Sequence, residues 1–354
     1  MNVYKKILRP LLFTLRGETA HNLTKLFLRS PFLGVFLWRD GLSVQNERLQ
    51  INAGNLSFQN PVGLAAGFDK DCEMLDALQY LGFGYIVAGS ITYGPRAGNP
   101  KPRMVRYPET EALVTCMGLP NKGLDYAAGR LLKRSSYKVP VIININGFSL
   151  DEYIRCIESL QPLVDGVEIS LSCSNKPEAG GDFLDPHQAE KLFAKIAEIK
   201  SKPIFIKIPT YIDKLEREKR LALVKTVMNF PFEGFTISTV GVKVDDNRIA
   251  VGSGSLSGRP LFSKMLSALK DIYNVTEGKS FIKVKGGIFS AEDAFDAIAA
   301  GASTVEGYTG FVYEGWSYAK KINLGLLELL DRYDVKNLSA LRGSMVSRND
   351  RSLS

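Results

Sequence analysis

Histidine is scarce in this chain, and the cysteines are too irregularly spaced to indicate a disulfide framework. The 354 residues include two histidines and four cysteines, which are Cys72, Cys116, Cys156 and Cys173. Zinc sites and disulfide scaffolds need these residues in close and regular clusters. The sequence therefore predicts no metal centre and no disulfide-stapled fold, and it favours free thiols in a reducing compartment.

Long apolar runs are absent as well. No stretch of about 18 uncharged apolar residues occurs, so no bilayer-spanning helix is predicted. The early apolar stretches are short, interrupted by charge and lack a small-residue cleavage site, which argues against a signal peptide. With 45% hydrophobic and 23% charged residues, the composition is typical of a soluble globular protein with a large core.

The basic residues concentrate at the amino-terminal end. The formal net charge is +8, and residues 1–40 hold seven basic residues against two acidic ones. Apolar residues recur there at helical spacing, with breaks at Pro10, Gly17 and Pro31. Amphipathic helices on a membrane surface and a helical pair packed on the main domain both fit this pattern. Nucleic-acid binding is disfavoured, because the basic residues alternate with bulky aliphatic ones rather than forming a polar stripe.

From residue 60 onward, strand-like and helix-like patterns alternate eight times. Strands are predicted at 61–67, 84–90, 139–146, 166–172, 203–209, 234–239, 281–287 and 303–309. Helices are predicted at 71–81, 122–134, 151–160, 187–200, 214–229, 262–274, 291–300 and 317–332. The strands are nearly continuous in apolar character, which favours a parallel sheet closed into a barrel. An open doubly wound sheet is the alternative, but the first strand is not followed by a G-x-G-x-x-G turn.

The predicted fold is thus α/β, a (β/α)8 TIM barrel with a small amino-terminal helical extension. Residues 1–40 are predicted to form the extension and residues 41–335 the barrel. Residues 336–354 are predicted to form a polar tail, because they are rich in charged and small residues.

In a barrel of this kind the active site lies at the carboxyl ends of the strands. Those ends are rich in hydroxyls, amides and lysines and poor in carboxylates and histidines, which suits a polar, anionic ligand better than a metal. Glycines in "GSGSLSGRP" (252–260), "KGGI" (285–288) and "YTGF" (308–311) are spaced to cradle a phosphate with backbone N–H groups. Lys207 ends the apolar run "IFIK", so its ammonium needs either a structural salt bridge or a cofactor that becomes anionic on reduction.

A recognisable pattern is carried by the segments "NPVGLAAGFDKD" (60–71), "GFGYIVAGSIT" (82–92), "VKGGI" (284–288) and "GYTGFVYEG" (307–315). They closely resemble dihydroorotate dehydrogenase, an FMN-dependent barrel enzyme of pyrimidine biosynthesis, and the similarity covers nearly all of residues 4–333. The resemblance implies FMN contacts at Ala66, Gly67, Lys70, Ser90, Asn144, Lys207, Ser238, Gly258, Gly287, Tyr308 and Thr309.

The segment "SLSCSN" (170–175) matches the catalytic loop of that family. The resemblance makes Cys173 the base that removes a proton from one ring carbon while the neighbouring carbon gives a hydride to the flavin. A thiol can do this near neutral pH when a cationic or hydrogen-bonding environment lowers its pKa. The next segment, "NKPEAGGDF" (175–183), is expected to close over the ligand. The implied substrate contacts are Lys70, Thr115, Met117, Gly118, Leu119, Ser170, Asn175 and Thr239.

Two branches of the family are mixed in this chain. The segment "RPLLFTLRGETAHNLTKLFLRS" (9–30) resembles the membrane-associated, quinone-reducing branch, whereas the cysteine of the catalytic loop resembles the soluble branch. The resemblance implies a quinone site at His21, Arg106 and Tyr308. The implied partners are a small-molecule substrate, a quinone and a peripheral membrane surface on the cytoplasmic side of the inner membrane, with no nucleic acid and no metal.

The sequence departs from the family where orotate is bound. Asn175 matches one of the family's orotate-reading asparagines, but three others align with Thr115, Ser170 and Thr239. A hydroxyl cannot present the two-point pattern of a carboxamide, and each unpaired polar edge of a buried ligand costs roughly 1–3 kcal/mol. Three hypotheses therefore stand: a quinone-reducing dihydroorotate dehydrogenase, a related flavoenzyme with a different reduced substrate, and a non-catalytic flavin- or membrane-binding protein.

Overall fold

Eight parallel strands pair in chain order and close into a barrel in the computed structural model, which describes residues 3–30, 41–133, 136–171, 183–239 and 242–346. The strands are β1 Val62–Leu64, β2 Tyr85–Ile91, β3 Val141–Ile145, β4 Gly166–Ser170, β5 Ile204–Pro209, β6 Gly234–Ser238, β7 Phe281–Lys285 and β8 Thr304–Gly307. β8 pairs back with β1, with Val305 opposite Val62. The predicted barrel is confirmed, and each predicted strand overlaps one of these eight. Cys173, Asn175 and most of the predicted closing segment lie outside the described residues.

Helices surround the barrel and cover the outer faces of the strands. β3 and β4 are buried at every position, which explains their continuous apolar character. Side-chain caps start several of the helices, as where Asp213 accepts the backbone N–H of Glu216. The main helices are α1 Leu75–Leu78, α2 Leu124–Leu131, α3 Leu150–Leu160, α4 Pro186–Ile199, α5 Lys214–Met228, α6 Phe262–Val275, α7 Ala291–Ala299 and α8 Tyr318–Arg332. A short helix, Thr309–Glu314, lies between β8 and α8.

The helix α1 is much shorter than the predicted span of 71–81. The carboxylate of Asp69 accepts the backbone N–H groups of Glu73 and Met74 at 2.9 and 2.8 Å. Cys72 has a left-handed φ of 56°. Because these features hold the chain in a turn up to Met74, the helix cannot begin before Leu75.

Two small antiparallel sheets, which the sequence analysis does not predict, cover the two ends of the barrel. At the amino-terminal end Ile51–Ala53 pairs with Leu56–Phe58, and the Phe58 ring packs against Tyr85 with centroids 4.7 Å apart. At the carboxyl-terminal end lies a four-stranded sheet in the order Lys243–Asp245, Ser253–Gly258, Ala112–Thr115 and Met104–Tyr107. Aromatic rings therefore close the amino-terminal end of the barrel, and short strands extend its carboxyl-terminal end.

The described part of the amino-terminal extension is helical and packs on the barrel. It consists of the π-helix Tyr4–Leu8 and the α-helices Arg9–Thr14 and Gly17–Leu28. Ion pairs fasten it to the barrel, with Arg103 Nη2 lying 3.0 Å from Glu18 Oε1, and Lys25 bound to Glu73. Among the residues that the structure describes, no helix is long and apolar enough to cross a membrane.

The predicted boundary of the polar tail at residue 336 is wrong. Leu338–Leu341 forms a helical turn in which Leu338 and Leu341 are both buried. Arg342 then donates hydrogen bonds to the backbone carbonyls of Gly278, Ser280 and Gly301. Because these contacts anchor the segment, residues 337–346 are part of the barrel domain.

Candidate functional site

A cavity of about 280 Å³, called the polar cavity below, opens at the carboxyl ends of the barrel strands. The predicted cofactor residues that line it are Ala66, Gly67, Lys70, Ser90, Lys207, Ser238, Gly258, Gly287, Tyr308 and Thr309. The predicted substrate residues Thr115, Met117, Gly118, Leu119, Ser170 and Thr239 line the same cavity. Asn144 is not part of the cavity wall, and its side chain is buried in the adjacent barrel interior. The described residues of the predicted site are thus close together, and their roles stay predictions.

Glycines form one wall of the polar cavity. Other atoms of the protein lie so close to the backbone there that a side chain would not fit. Gly258 has a φ of 105°, and a Cβ there would lie 2.3 Å from the carbonyl oxygen of Glu111. The hydroxyl oxygens of Ser257 and Thr309 lie beside this wall, 3.0 Å apart. A wall made of backbone and hydroxyl groups suits the oxygens of a phosphate.

A buried carboxylate, Glu168 on β4, organises the barrel interior below the polar cavity. It binds Lys207 Nζ on β5 at 3.2 Å and Lys283 Nζ on β7 at 2.6 Å. Asn144 Nδ2 and Thr236 Oγ1 donate to it at 2.7 and 2.6 Å. Burial raises the pKa of Glu168, but the attraction of Lys283 and Lys207 outweighs burial and holds that pKa below its usual range. The ionised carboxylate therefore fixes Lys207 at the cavity wall.

A second buried acid, Glu306 on β8, lies on the other side of Lys283. Lys283 Nζ is 3.1 Å from Glu306 Oε1, and the Tyr85 hydroxyl donates to the same oxygen at 3.2 Å. Glu306 lines the polar cavity, and its Oε2 has no hydrogen-bond partner among the described residues. Burial raises the pKa of Glu306, so this acid holds its proton more tightly than Glu168 does.

Two charged residues of the cavity wall, Lys285 and Glu306, are not among the site residues predicted from the sequence. A signal exists in the strands, since side chains alternate between the two faces of a strand. Lys283 and Lys285 in "FIKVK" therefore share one face, and Lys283 bonds to Glu168 inside the barrel. Together Glu168, Lys207, Lys283, Lys285 and Glu306 form a group that we call the floor cluster. Lys207 has the ion pair of the first predicted alternative and also lines the cavity, while its role beside a cofactor stays a prediction.

A second cavity, of about 370 Å³, lies between the amino-terminal helices and the barrel and is called the apolar cavity below. Its wall is largely aliphatic and aromatic, with Leu8, Leu12, Phe13, Phe68 and Phe311 among its residues. The three residues of the predicted quinone site all line it, namely His21, Arg106 and Tyr308. Tyr308 lines the polar cavity as well, so one side chain borders both cavities.

The apolar cavity has few polar groups, and most of these already interact with other groups of the protein. Burial, followed by the nearby charges of Lys70 and Lys25, lowers the pKa of His21 to about 3, so the ring is neutral at physiological pH. Arg106 Nη1 donates to the carbonyl oxygen of Leu15 at 2.8 Å, and its guanidinium lies over the Phe13 ring. The cavity therefore suits an apolar ring that carries a hydrogen-bonding oxygen.

The chain is similar to known proteins along most of its length. A family model described as dihydroorotate dehydrogenase matches residues 48–330. A dihydroorotate dehydrogenase (quinone) from Thermus thermophilus is 34% identical over 351 residues, which cover 94% of this chain and 98% of that protein. Another with the same name, from a Roseiflexus species, is 34% identical over 367 residues and covers 96% of this chain and 98% of its own. The crystal structure of DHODH from Eimeria tenella in complex with ferulenol has a TM-score of 0.80 at 26% identity, covering 92% of this chain and 95% of that one.

Replacing Glu168 with glutamine is expected to destabilise the protein strongly. Lys207 and Lys283 would lose their shared anion inside the barrel, and breaking a buried pair of this kind costs about 3–5 kcal/mol. Urea unfolding at pH 7 measures the loss. The matched control is Glu198→Gln, which removes an exposed pair with Lys195 and is expected to cost less than about 1 kcal/mol. Equal effects of the two substitutions would contradict the organising role of Glu168.

Proposed function

The chain belongs to the dihydroorotate dehydrogenase family, and we propose on this basis that it oxidises dihydroorotate to orotate in pyrimidine biosynthesis and reduces a quinone. The observation that carries the proposal is the pair of cavities of opposite polarity that share Tyr308. A polar substrate suits the first cavity and an apolar acceptor suits the second. Electrons that pass from the polar cavity to the apolar cavity would cross only the side chain of Tyr308.

FMN is the cofactor that we assign to the polar cavity, where it would accept a hydride from the substrate and deliver two electrons to the quinone. Asn144, whose Oδ1 has no hydrogen-bond partner among the described residues, is assigned as a contact from the resemblance, since it lies beside the cavity rather than in its wall. Lys207 adds a fixed positive charge, and the glycine wall suits the phosphate. The assigned contacts are Ala66, Gly67, Lys70, Ser90, Asn144, Lys207, Ser238, Gly258, Gly287, Tyr308 and Thr309.

Cys173 is the residue that we assign as the base. Strand β4 ends at Ser170, which lines the polar cavity, and Cys173 follows three residues later in the sequence. The cavity wall carries the lysines Lys70 and Lys207, and nearby cations lower the pKa of a thiol. A thiolate at this rim would accept the carbon-bound proton while the hydride leaves from the neighbouring carbon.

The substrate contacts that we assign are those of the sequence analysis, and their hydroxyl character supports a second candidate. Thr115, Ser170 and Thr239 line the polar cavity where the family has asparagines by alignment. A reduced substrate with fewer amide edges than dihydroorotate would match these hydroxyls better. The enzyme class, the flavin and the base are the same in both candidates.

Anaerobic mixing of the FMN-loaded chain with dihydroorotate distinguishes the two candidates. Bleaching of the flavin absorbance is expected if dihydroorotate is the substrate, because the reduced flavin no longer absorbs near its visible maximum. Dithionite serves as the control that the bound flavin is reducible. Bleaching by dithionite without bleaching by dihydroorotate would reject the first candidate and support a different substrate.

Cys173→Ala is expected to slow flavin reduction by the substrate by about 10²–10⁴-fold, the usual contribution of a positioned general base. The FMN content should stay that of the unmodified chain, because the thiol is not among the assigned cofactor contacts. Stopped-flow absorbance measures the rate, and Cys116→Ala is the matched control at another cysteine. An unchanged rate in Cys173→Ala would reject the base assignment.

The amino-terminal helices are assigned to a peripheral membrane surface, on the cytoplasmic side of an inner membrane, from which the quinone enters the apolar cavity. Large apolar side chains on these helices are exposed, including Leu11 at 61% and Leu26 at 69%. Basic residues such as Lys6 and Arg16 flank them and would meet anionic headgroups. The quinone contacts that we assign are His21, Arg106 and Tyr308.

The triple variant Ile7→Ser, Leu11→Ser, Leu26→Ser is expected to lose liposome binding and quinone-dependent turnover. None of these side chains lines the apolar cavity, so reduction of the flavin by substrate should be unaffected. Co-sedimentation with anionic vesicles measures binding. The matched control, Leu132→Ser, Ile212→Ser, Leu215→Ser, changes exposed side chains elsewhere and should bind as the unmodified chain does. Vesicle binding by the first variant at full strength would contradict the assignment.

A further inference from the structure

Strand β7 presents two lysines to the barrel interior at successive inward positions. Lys283 is fully buried and bonds to Glu168 and Glu306. Lys285 lies one step nearer the carboxyl end, opposite Ser238 of β6, and lines the polar cavity together with Lys207. The cavity that we assign to FMN therefore has a second, half-buried lysine beside the fixed Lys207.

Three of the four carboxylate oxygens of the floor cluster have other partners, and the fourth, Glu306 Oε2, has none among the described residues. Glu168 accepts from Lys207 and Lys283, and Glu306 Oε1 accepts from Lys283 and Tyr85. No ion pair of Lys285 is found in the described part of the chain. With all three lysines charged, the floor cluster would carry more positive than negative charge inside the barrel, which has little water to screen it.

Lys285 faces titratable groups on each of its sides. Lys207 on β5 repels its charge, while Glu168 on β4 and Glu306 on β8 attract it. Burial has the largest effect and, together with Lys207, it lowers the pKa of Lys285 to about 7. The protonated and neutral forms of Lys285 are therefore close in free energy near neutral pH, and a nearby change of charge decides between them.

We propose that Lys285 takes up a proton from solvent when the flavin in the polar cavity is reduced and releases it when the flavin is reoxidised. The inference rests on the proposed FMN chemistry. In the proposed reaction the bound flavin would receive the hydride of the substrate and the base its other proton, so the flavin would gain negative charge. That charge, in the cavity that Lys285 lines, would raise the proton affinity of the amine by about tenfold or more. The proton returns to solvent as the two electrons leave for the quinone, so charge and protons balance over the cycle.

The consequence is a second proton that accompanies the two electrons. A flavin that becomes an anion takes up a single proton with its two electrons, and a neutral Lys285 that becomes an ammonium adds another. The midpoint potential of the bound flavin therefore falls more steeply with pH than it would without Lys285, over the range where the amine is neutral beside oxidised flavin and charged beside reduced flavin. Lys285 also makes reduction more favourable at neutral pH, because its positive charge stabilises the reduced form.

The test is the midpoint potential of the FMN-loaded chain, measured by dye equilibration at several pH values on both sides of neutrality. Lys285→Met is expected to show a shallower pH dependence and a lower potential at pH 7 than the unmodified chain. Lys285→Arg keeps a permanent charge, so it should share the shallow dependence but have a higher potential than Lys285→Met. Lys279→Met, an exposed lysine before β7, is the matched control and should match the unmodified chain.

Equal pH dependence in the unmodified chain and in Lys285→Met, with flavin bound to both, would overturn the inference and leave the proposed function intact. If Lys285→Met does not retain flavin, Lys285→Arg decides, and a pH dependence like that of the unmodified chain would overturn the inference. A chain that takes up no FMN at all would instead reject the proposed function. The absorbance spectrum before titration separates that outcome from the others.

Discussion

The ionised side chain of Glu168 is the group on which the rest of the site depends. A carboxylate inside a barrel is tolerated only if donors surround it, and here lysines from β5 and β7 do so together with Asn144 and Thr236. The aromatic plug of Phe58 and Tyr85 keeps water from the amino-terminal end. Because Glu168 binds Lys207, the charge of Lys207 at the cavity wall has a fixed position before any ligand binds. A fixed charge stabilises a developing opposite charge better than one that must first reorient.

The polarity of the two cavities follows from the elements that build them. Strand ends and glycine turns surround the polar cavity, so hydroxyls, lysines and backbone groups line it. Amphipathic helices cover the apolar cavity, so leucine and phenylalanine line it. Tyr308 follows β8 directly and belongs to both walls, and burial raises the pKa of its hydroxyl to about 12, so it stays neutral. The extension is thus part of the functional unit, fastened by Glu18, Glu73 and their basic partners.

The barrel and the edge that carries its candidate site are predictable from sequence, because most positions in the strands are apolar and parallel strands end at one edge. The two small antiparallel sheets are not predictable in this way. Strands such as Lys243–Asp245 are too short to show a period, and Ser253–Gly258 pairs with the distant strand Ala112–Thr115. The turn after β1 depends on Asp69 bonding to particular N–H groups, which composition does not reveal. Glu168, Lys283 and Lys285 are visible as charges within apolar runs, but their pairing depends on the register between strands, which only the structure supplies.

The most direct test of the central claim is a crystal structure of the full chain loaded with FMN. We expect the flavin ring in the polar cavity, with ring atoms within hydrogen-bond distance of Asn144 Oδ1 and Lys207 Nζ, the phosphate against the wall formed by Gly258 and Gly287, and Tyr308 between the ring and the apolar cavity. A flavin bound elsewhere, or a polar cavity that stays empty at saturating FMN while Lys207 pairs only with Glu168, would contradict it.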